Sequence, residues 1–257
     1  MSGRLRRAAP AAVLFVTALV LWEAMVRGFD IKGFILPAPS AIAGAFVAEW
    51  PALRAAAIGT FGTALAGLVV GIGLAVAVGM AAARWRAVRE GVMPLAIAAN
   101  STPIVVLAPI AIAWFGLLSP WGTISVVAVL VFFPIMINLV RGLRSAPASH
   151  HELMQSYATT RRQVLLKLQV PTALPYLFSA FKVAAALSLI GAIVKEYFGG
   201  AQDRLGQYIT RKAGLFQFEE AWSAIVLASA FGVALFVVIG VIERRVMPWH
   251  VSVRSRQ

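Results

Sequence analysis

Between Ile58 and Ala83 the chain carries no charged residue. A helix needs about 20 apolar residues to cross the hydrocarbon core of a bilayer, so this run is longer than one crossing requires. Five further runs, at roughly 11–27, 92–113, 122–140, 173–194 and 221–243, read the same way. The expected fold is an all-α membrane protein of about six transmembrane helices, forming one domain over residues 1–257 with its core at about 55–245. Composition supports this: 60% of the residues are hydrophobic and 13% charged, whereas soluble domains carry about 25% charge. Too little polar surface is left to cover a water-soluble globule.

The net charge of +13 follows the membrane. Fifteen of the 23 Lys and Arg residues fall in one alternate set of loops, among them Arg84, Arg86, Arg89, Arg141, Arg144, Arg161, Arg162 and Lys167. Seven fall in the other set, with the acids Asp30, Glu49, Glu196, Asp203, Glu219 and Glu220. The positive-inside bias then places both termini in the cytoplasm and requires an even number of spans. No basic run is interleaved with aromatics in the manner of a nucleic-acid site, so no nucleic-acid partner is expected. The absence of cysteine removes disulfides, thiol catalysis and Cys-based metal sites. Arg4, Arg6 and Arg7 before the apolar run Ala11–Trp22 resemble a signal peptide, but no small-x-small cleavage site follows, and an uncleaved first span is expected.

Two spans have unusual content. The second is crowded with small residues, including Gly59, Gly62, Gly67, Gly71, Gly73 and Gly79. Such a face permits close helix approach, either within one subunit or between two subunits. The third contains Pro94, Pro103 and Pro109 around the polar stretch Asn100-Ser101-Thr102. Irregular backbone inside a membrane is tolerated where it packs on protein or lines a wet cavity. The alternatives are therefore a kinked structural helix and a pathway-lining one, the latter with Asn100, Ser101, Thr102, Pro103 and nearby Trp114 as lining residues.

The loop from Arg141 to Thr172 is too polar to be a span and too organised to be a linker. Ser149 with Glu152, and Thr160 with Gln163, have capping-box spacing. This predicts short helices at about 150–157 and 161–169 with a break near Ala158-Thr159. Pro171 is expected to stop the second, and Pro175 to sit in the first turn of the next span. On the second helix Val164, Leu165 and Leu168 share an apolar face opposite Arg161, Arg162 and Lys167.

Glu152-Leu153-Met154-Gln155-Ser156-Tyr157-Ala158, continuing to Val170-Pro171, resembles the EAA loop of ABC importer permeases. That loop has Glu-Ala-Ala, Gly six residues after the Glu, and an apolar residue followed by Pro nineteen after it. Leu153 and Met154 replace the alanines. Ala158 replaces the Gly, and since a left-handed turn costs Ala on the order of 1 kcal/mol, a less sharp turn is expected. Leu36-Pro37-Ala38-Pro39-Ser40, Pro103 through Trp114-Phe115-Gly116, Phe132-Phe133-Pro134, Phe181-Lys182, and Glu196 with Leu205-Gly206 are similar to elements of the branch that imports nitrate, sulfonates, taurine and thiamine precursors. The resemblance covers about residues 30–250.

The resemblance implies a type I importer permease of the bacterial inner membrane with a cytoplasmic coupling helix in the loop 146–171. It implies two cytoplasmic ATPase subunits, a second permease copy as a homodimer, an extracytoplasmic solute-binding protein, and alternating access for a small polar or anionic organic solute. The ATPase-coupling residues would be Glu152, Leu153, Met154, Tyr157, Ala158, Arg161 and Pro171. The chain has no GxxxxGK[ST] sequence, so it is not expected to be an enzyme, and ATP with Mg would be bound by the partner ATPase. No catalytic residue and no cofactor is expected in this chain.

Three charged positions remain. Lys182, about seven residues into the fifth span, is close enough to the cytoplasmic end to snorkel. Lys195 and Glu196, adjacent near the outer end of that span, are either pathway residues at an outer gate or boundary anchors. His150-His151 diverge on a helix, and no metal is expected. A membrane enzyme would need titratable groups clustered at one depth, and Glu23, Lys182 and Lys195-Glu196 are scattered. A secondary carrier or channel uncoupled from ATP is the other alternative, but it has no use for a capped docking loop.

Overall fold

The computed structural model describes residues 2–100 and 103–249. Among them the chain is helical, with no strand. The helices are α1 (Ser2–Gly28), α2 (Pro39–Ala48), α3 (Trp50–Arg84), α4 (Arg86–Asn100), α5 (Ile104–Phe115), α6 (Pro120–Leu143), α7 (Ala148–Ser156), α8 (Arg161–Val164), α9 (Val170–Phe198), α10 (Leu205–Gly214) and α11 (Phe218–Val246). Four stretches are long and apolar enough to cross a bilayer: Trp50–Arg84, Pro120–Leu143, Arg161–Phe198 and Phe218–Val246. The helix α1 lies where the first span is expected. The third expected span is not one helix: α4 and α5 divide it, each too short to cross alone.

The chain forms two compact units. One draws on Met1–Gly59 and Gln202–Ser229. Within it, Ser40, the serine of the Leu-Pro-x-Pro-Ser element, donates its amide (3.0 Å) and hydroxyl (2.7 Å) to the Glu23 carboxylate of α1. Arg27 pairs with the same carboxylate at 2.6 Å, and Pro39 starts α2 with a preset φ. Glu23 thus locks α1 to α2. In the same unit Tyr208 of α10 is buried and donates to Glu49 at 3.2 Å, and Lys212 reaches Glu49 at 3.4 Å. Burial, reinforced by the Glu49 carboxylate, pushes the phenol well above its ordinary range, so Tyr208 stays a neutral donor.

The second unit draws on Thr60–Ala201 and Ala230–Gln257. Its core brings Val127, Val131, Ile135 and Met136 of α6 against Ala184 and Ala192 of α9 and Ala64 and Ala75 of α3. Three glycines of α3, Gly67, Gly71 and Gly79, serve this packing within the chain. A Cβ at Gly67 would meet Val127 at 2.5 Å, one at Gly79 would meet Leu139 at 2.7 Å, and Gly71 is equally closed by Val131. Of the two readings of the small-residue face, Gly67, Gly71 and Gly79 follow the one within a subunit. Gly116 ends α5 at φ 87°, a conformation that favours glycine, which explains the Phe115-Gly116 pair.

Candidate functional site: the exposed α7 turn and the rod behind it

The segment between α6 and α9 is built from local signals. Pro147, with φ −57°, starts α7 and provides no side-chain cap. Ser149 therefore falls inside the first turn and the expected Ser149–Glu152 capping box does not form. Proline's fixed φ sets the helix start two residues before the serine. Glu152 is freed of a capping role: it is exposed, and its side chain has no hydrogen bond or ion pair among the described residues.

The turn after α7 is sharper than expected. Ala158 adopts φ 50°. Its amide donates to Gln155 O at 2.8 Å, and the Thr159 amide and hydroxyl both donate to Met154 O, at 3.2 and 2.7 Å. This is a Schellman closure with alanine in the position usually held by glycine. The extra donor from the Thr159 hydroxyl offsets part of the left-handed cost. The second capping box does form: the Thr160 amide donates to Gln163 Oε1 at 2.7 Å, and the Gln163 amide donates to Thr160 Oγ1 at 3.3 Å.

Pro171 does not stop the helix. Residues Leu165–Gln169 form a π turn in which the Val170 amide reaches back to Leu165 O. That widened turn makes room for the Pro171 ring, which would otherwise strike the carbonyl one turn back. The Thr172 hydroxyl takes Leu168 O at 2.6 Å. Helix α8, the π turn and α9 are thus one rod, Arg161–Phe198, of 38 residues, about 57 Å long at the helical rise. Its near end is amphipathic as expected, with Val164, Leu165 and Leu168 half-buried and Arg161, Arg162 and Lys167 exposed. Gly142 of α6 meets Ala173 closely enough that a Cβ would come within 2.9 Å of its Cα, which clamps the rod beside α6.

No residue of α7 is buried. Leu153 is 54% and Tyr157 73% exposed, and Met154 is half-buried. A cavity of about 510 Å³, lined in part by Met80, Ala83 and Arg84 of α3 and His151 and Gln155 of α7, separates α7 from the bundle. The helix projects, with Leu153 and Tyr157 left largely uncovered by the described residues.

The far end of the rod is the reverse. Lys195 and Glu196 are each 1% exposed. Lys195 donates to Leu117 O at 3.0 Å, in the connection between α5 and α6, and its stem lies 3.0 Å from where a Cβ on Gly122 would sit. Glu196 accepts from the Thr60 hydroxyl of α3 at 2.8 Å. Both side chains are embedded among protein groups. Lys182 ion-pairs with Glu243 near the end of α11 and lies 5.8 Å from the Phe236 ring. No sequence spacing signals a pair 61 residues apart.

Of the other expected pathway residues, Pro103 is exposed at the start of α5 and Trp114 is 77% exposed near its end. Helix α4 ends at Asn100 and α5 begins at Ile104. Ser101, Thr102 and the side chain of Asn100 lie outside the described residues. Lys195 reaches Leu117 O, in the connection that follows Trp114 and α5.

Comparison with known proteins identifies the family. The chain is 32% identical over 247 residues to the formylaminopyrimidine transport permease ThiX of Halalkalibacterium halodurans, covering 93% of this chain and 94% of that protein. It is 31% identical over 245 residues to the riboflavin transport permease RibX of Chloroflexus aurantiacus, covering 93% and 90%. A bacterial ABC transporter that imports the acidic polysaccharide alginate has a similar fold, with TM-score 0.64 at 13% identity over 95% of this chain and 98% of that one. The family model "binding-protein-dependent transport system inner membrane component" matches residues 67–248. The chain belongs to that family and is a multi-pass, non-enzymatic permease subunit of an ABC importer.

Proposed function

We propose that two copies of this chain form a translocation pathway that is worked by a separate cytoplasmic ATPase through α7. Both termini then lie in the cytoplasm, as the loop charges require, and a solute-binding protein delivers cargo at the opposite face. The observation that carries this reading is the rod Arg161–Phe198. At one end it continues the exposed arm α7. At the other it grips the connection after α5 through Lys195 and α3 through Glu196. A push on α7 is delivered to the elements that flank the broken helix, where Asn100, Ser101, Thr102, Pro103 and Trp114 are the proposed pathway residues. Lys195 and Glu196 transmit movement to the pathway. Leu153, Met154 and Tyr157 supply the apolar contact with the ATPase, Glu152 and Arg161 the polar rim, and Ala158 and Pro171 the bend and the joint.

For cargo we propose a small planar nitrogen heterocycle. The relatives named for formylaminopyrimidine and riboflavin are 32% and 31% identical, against 24% for the nitrate permease NrtB of Leptolyngbya laminosa.

The test is Glu152→Ala in the importer reconstituted with its ATPase and binding protein. The complex should assemble, and ATP hydrolysis should no longer rise when loaded binding protein is added. Unchanged stimulation would overturn the coupling role. Uptake of a labelled pyrimidine but not of nitrate by the unaltered importer supports the cargo assignment, and the reverse overturns it.

A further inference from the structure

One basic cavity has no part in the rod or in the proposed pathway. It measures about 660 Å³, within the range of ligand pockets, and lies where the first turns of α4 face the last turn of α6. Arg89, Arg141 and Arg144 border it, and Met93, Pro94 and Val140 form its apolar wall. Glu90 also lines it, but its carboxylate is engaged by Arg86 at 2.6 Å. None of the three arginines has an ion pair or side-chain hydrogen bond among the described residues. Arg89 is half-buried and the other two are exposed.

The placement of these groups specifies the ligand. Helix α6 runs for 24 residues, about 36 Å, against a hydrocarbon core of about 30 Å. Its last turn, with Arg141 and Arg144 just at and beyond it, therefore sits at the membrane–water interface, while Val140, Met93 and Pro94 form the apolar side of the cavity. Guanidinium groups bind phosphate oxygens in pairs and are weakly hydrated, which suits a partly desolvated site. A ligand that answers both halves of the cavity has a phosphate at the interface and an apolar chain beneath it. We infer that this cavity binds the headgroup of an anionic phospholipid from the leaflet on the α7 side, with the phosphate held by Arg89, Arg141 and Arg144 and the first acyl carbons against Met93, Pro94 and Val140. Because Arg144 leads directly into the connection to α7, an occupied site steadies the root of the arm.

The test uses the whole chain purified in detergent and titrated with phosphatidylglycerol, phosphatidylcholine or inorganic phosphate, with retention read by native mass spectrometry. Phosphatidylglycerol should be held about tenfold more tightly than phosphatidylcholine, or more, and the preference should shrink as salt is raised. Millimolar inorganic phosphate should not displace it. The double variant Arg89→Gln with Arg144→Gln should lose the preference, while Arg244→Gln, at the end of α11 and away from the cavity, should keep it. Equal retention of the two lipids by the unaltered protein overturns the inference without recourse to any variant. So does an undiminished preference in the double variant. Displacement by phosphate alone shows a soluble-anion site and overturns the lipid assignment. A double variant that keeps its lipid preference but no longer holds the ATPase makes the cavity a protein contact and overturns it too.

Discussion

The two ends of the rod Arg161–Phe198 are stabilised by opposite means. At the α7 end nothing is buried, and the conformation rests on a Schellman closure, a capping box and a π turn, all made between residues close in sequence. At the far end two ionisable side chains are buried and held by partners 78 and 136 residues away. An arm that meets a separate protein must keep its shape before that protein arrives, so it uses interactions that need no tertiary support. An end that must deliver force to the bundle is embedded in it. On the proposed coupling role, the comparison teaches that the rod is one mechanical part with a self-supporting handle and an anchored tip.

This contrast can be broken by substitution, and the largest effect belongs to the tip. Lys195→Ala removes a buried stem and leaves Leu117 O without that donor, and it should cost about 3 kcal/mol of stability, read as a lowered unfolding midpoint in detergent. Thr60→Val takes the hydroxyl from Glu196 while keeping shape, and should cost about 2 kcal/mol by the same measurement. An unchanged midpoint in both would mean that the tip is not anchored. At the handle, Thr160→Ala should cost about 1 kcal/mol, confined to the handle. Amide exchange over 158–166 should speed several-fold while the global midpoint stays put. The smallest effect is expected from Ala158→Gly. It relieves the left-handed turn at the cost of some chain entropy, and should slow exchange in the same amides by a gain of at most about 1 kcal/mol.

The same division explains what was legible in the sequence. The Thr160–Gln163 box, the break at Ala158 and the start of α5 after Pro103 are short-range patterns, and each is found where the residues put it. The Ser149–Glu152 box was the exception, because Pro147 competed for the helix start and won. Pro171 looked like a stop because the π turn that accommodates it has no pattern of its own. The long-range contacts gave no sequence signal: Glu23 with Ser40, Lys182 with Glu243, Lys195 with Leu117 and Glu196 with Thr60 each need the packed helices before the partner can be known. The burial of Lys195 and Glu196 is likewise not readable from their adjacency, because the groups they meet lie on α3 and beyond α5.

The central claim is that α7 is the surface on which the ATPase acts. The chain contains no cysteine, so a single introduced thiol reports one place only. Leu153→Cys should form a cross-link to the ATPase subunit with a short thiol–amine reagent in the assembled importer, and the yield should change when ATP is bound. Leu118→Cys, more exposed still in the connection between α5 and α6, should form none. An assembled, ATP-hydrolysing complex in which Leu153→Cys does not cross-link, or in which Leu118→Cys does so equally well, would contradict the account.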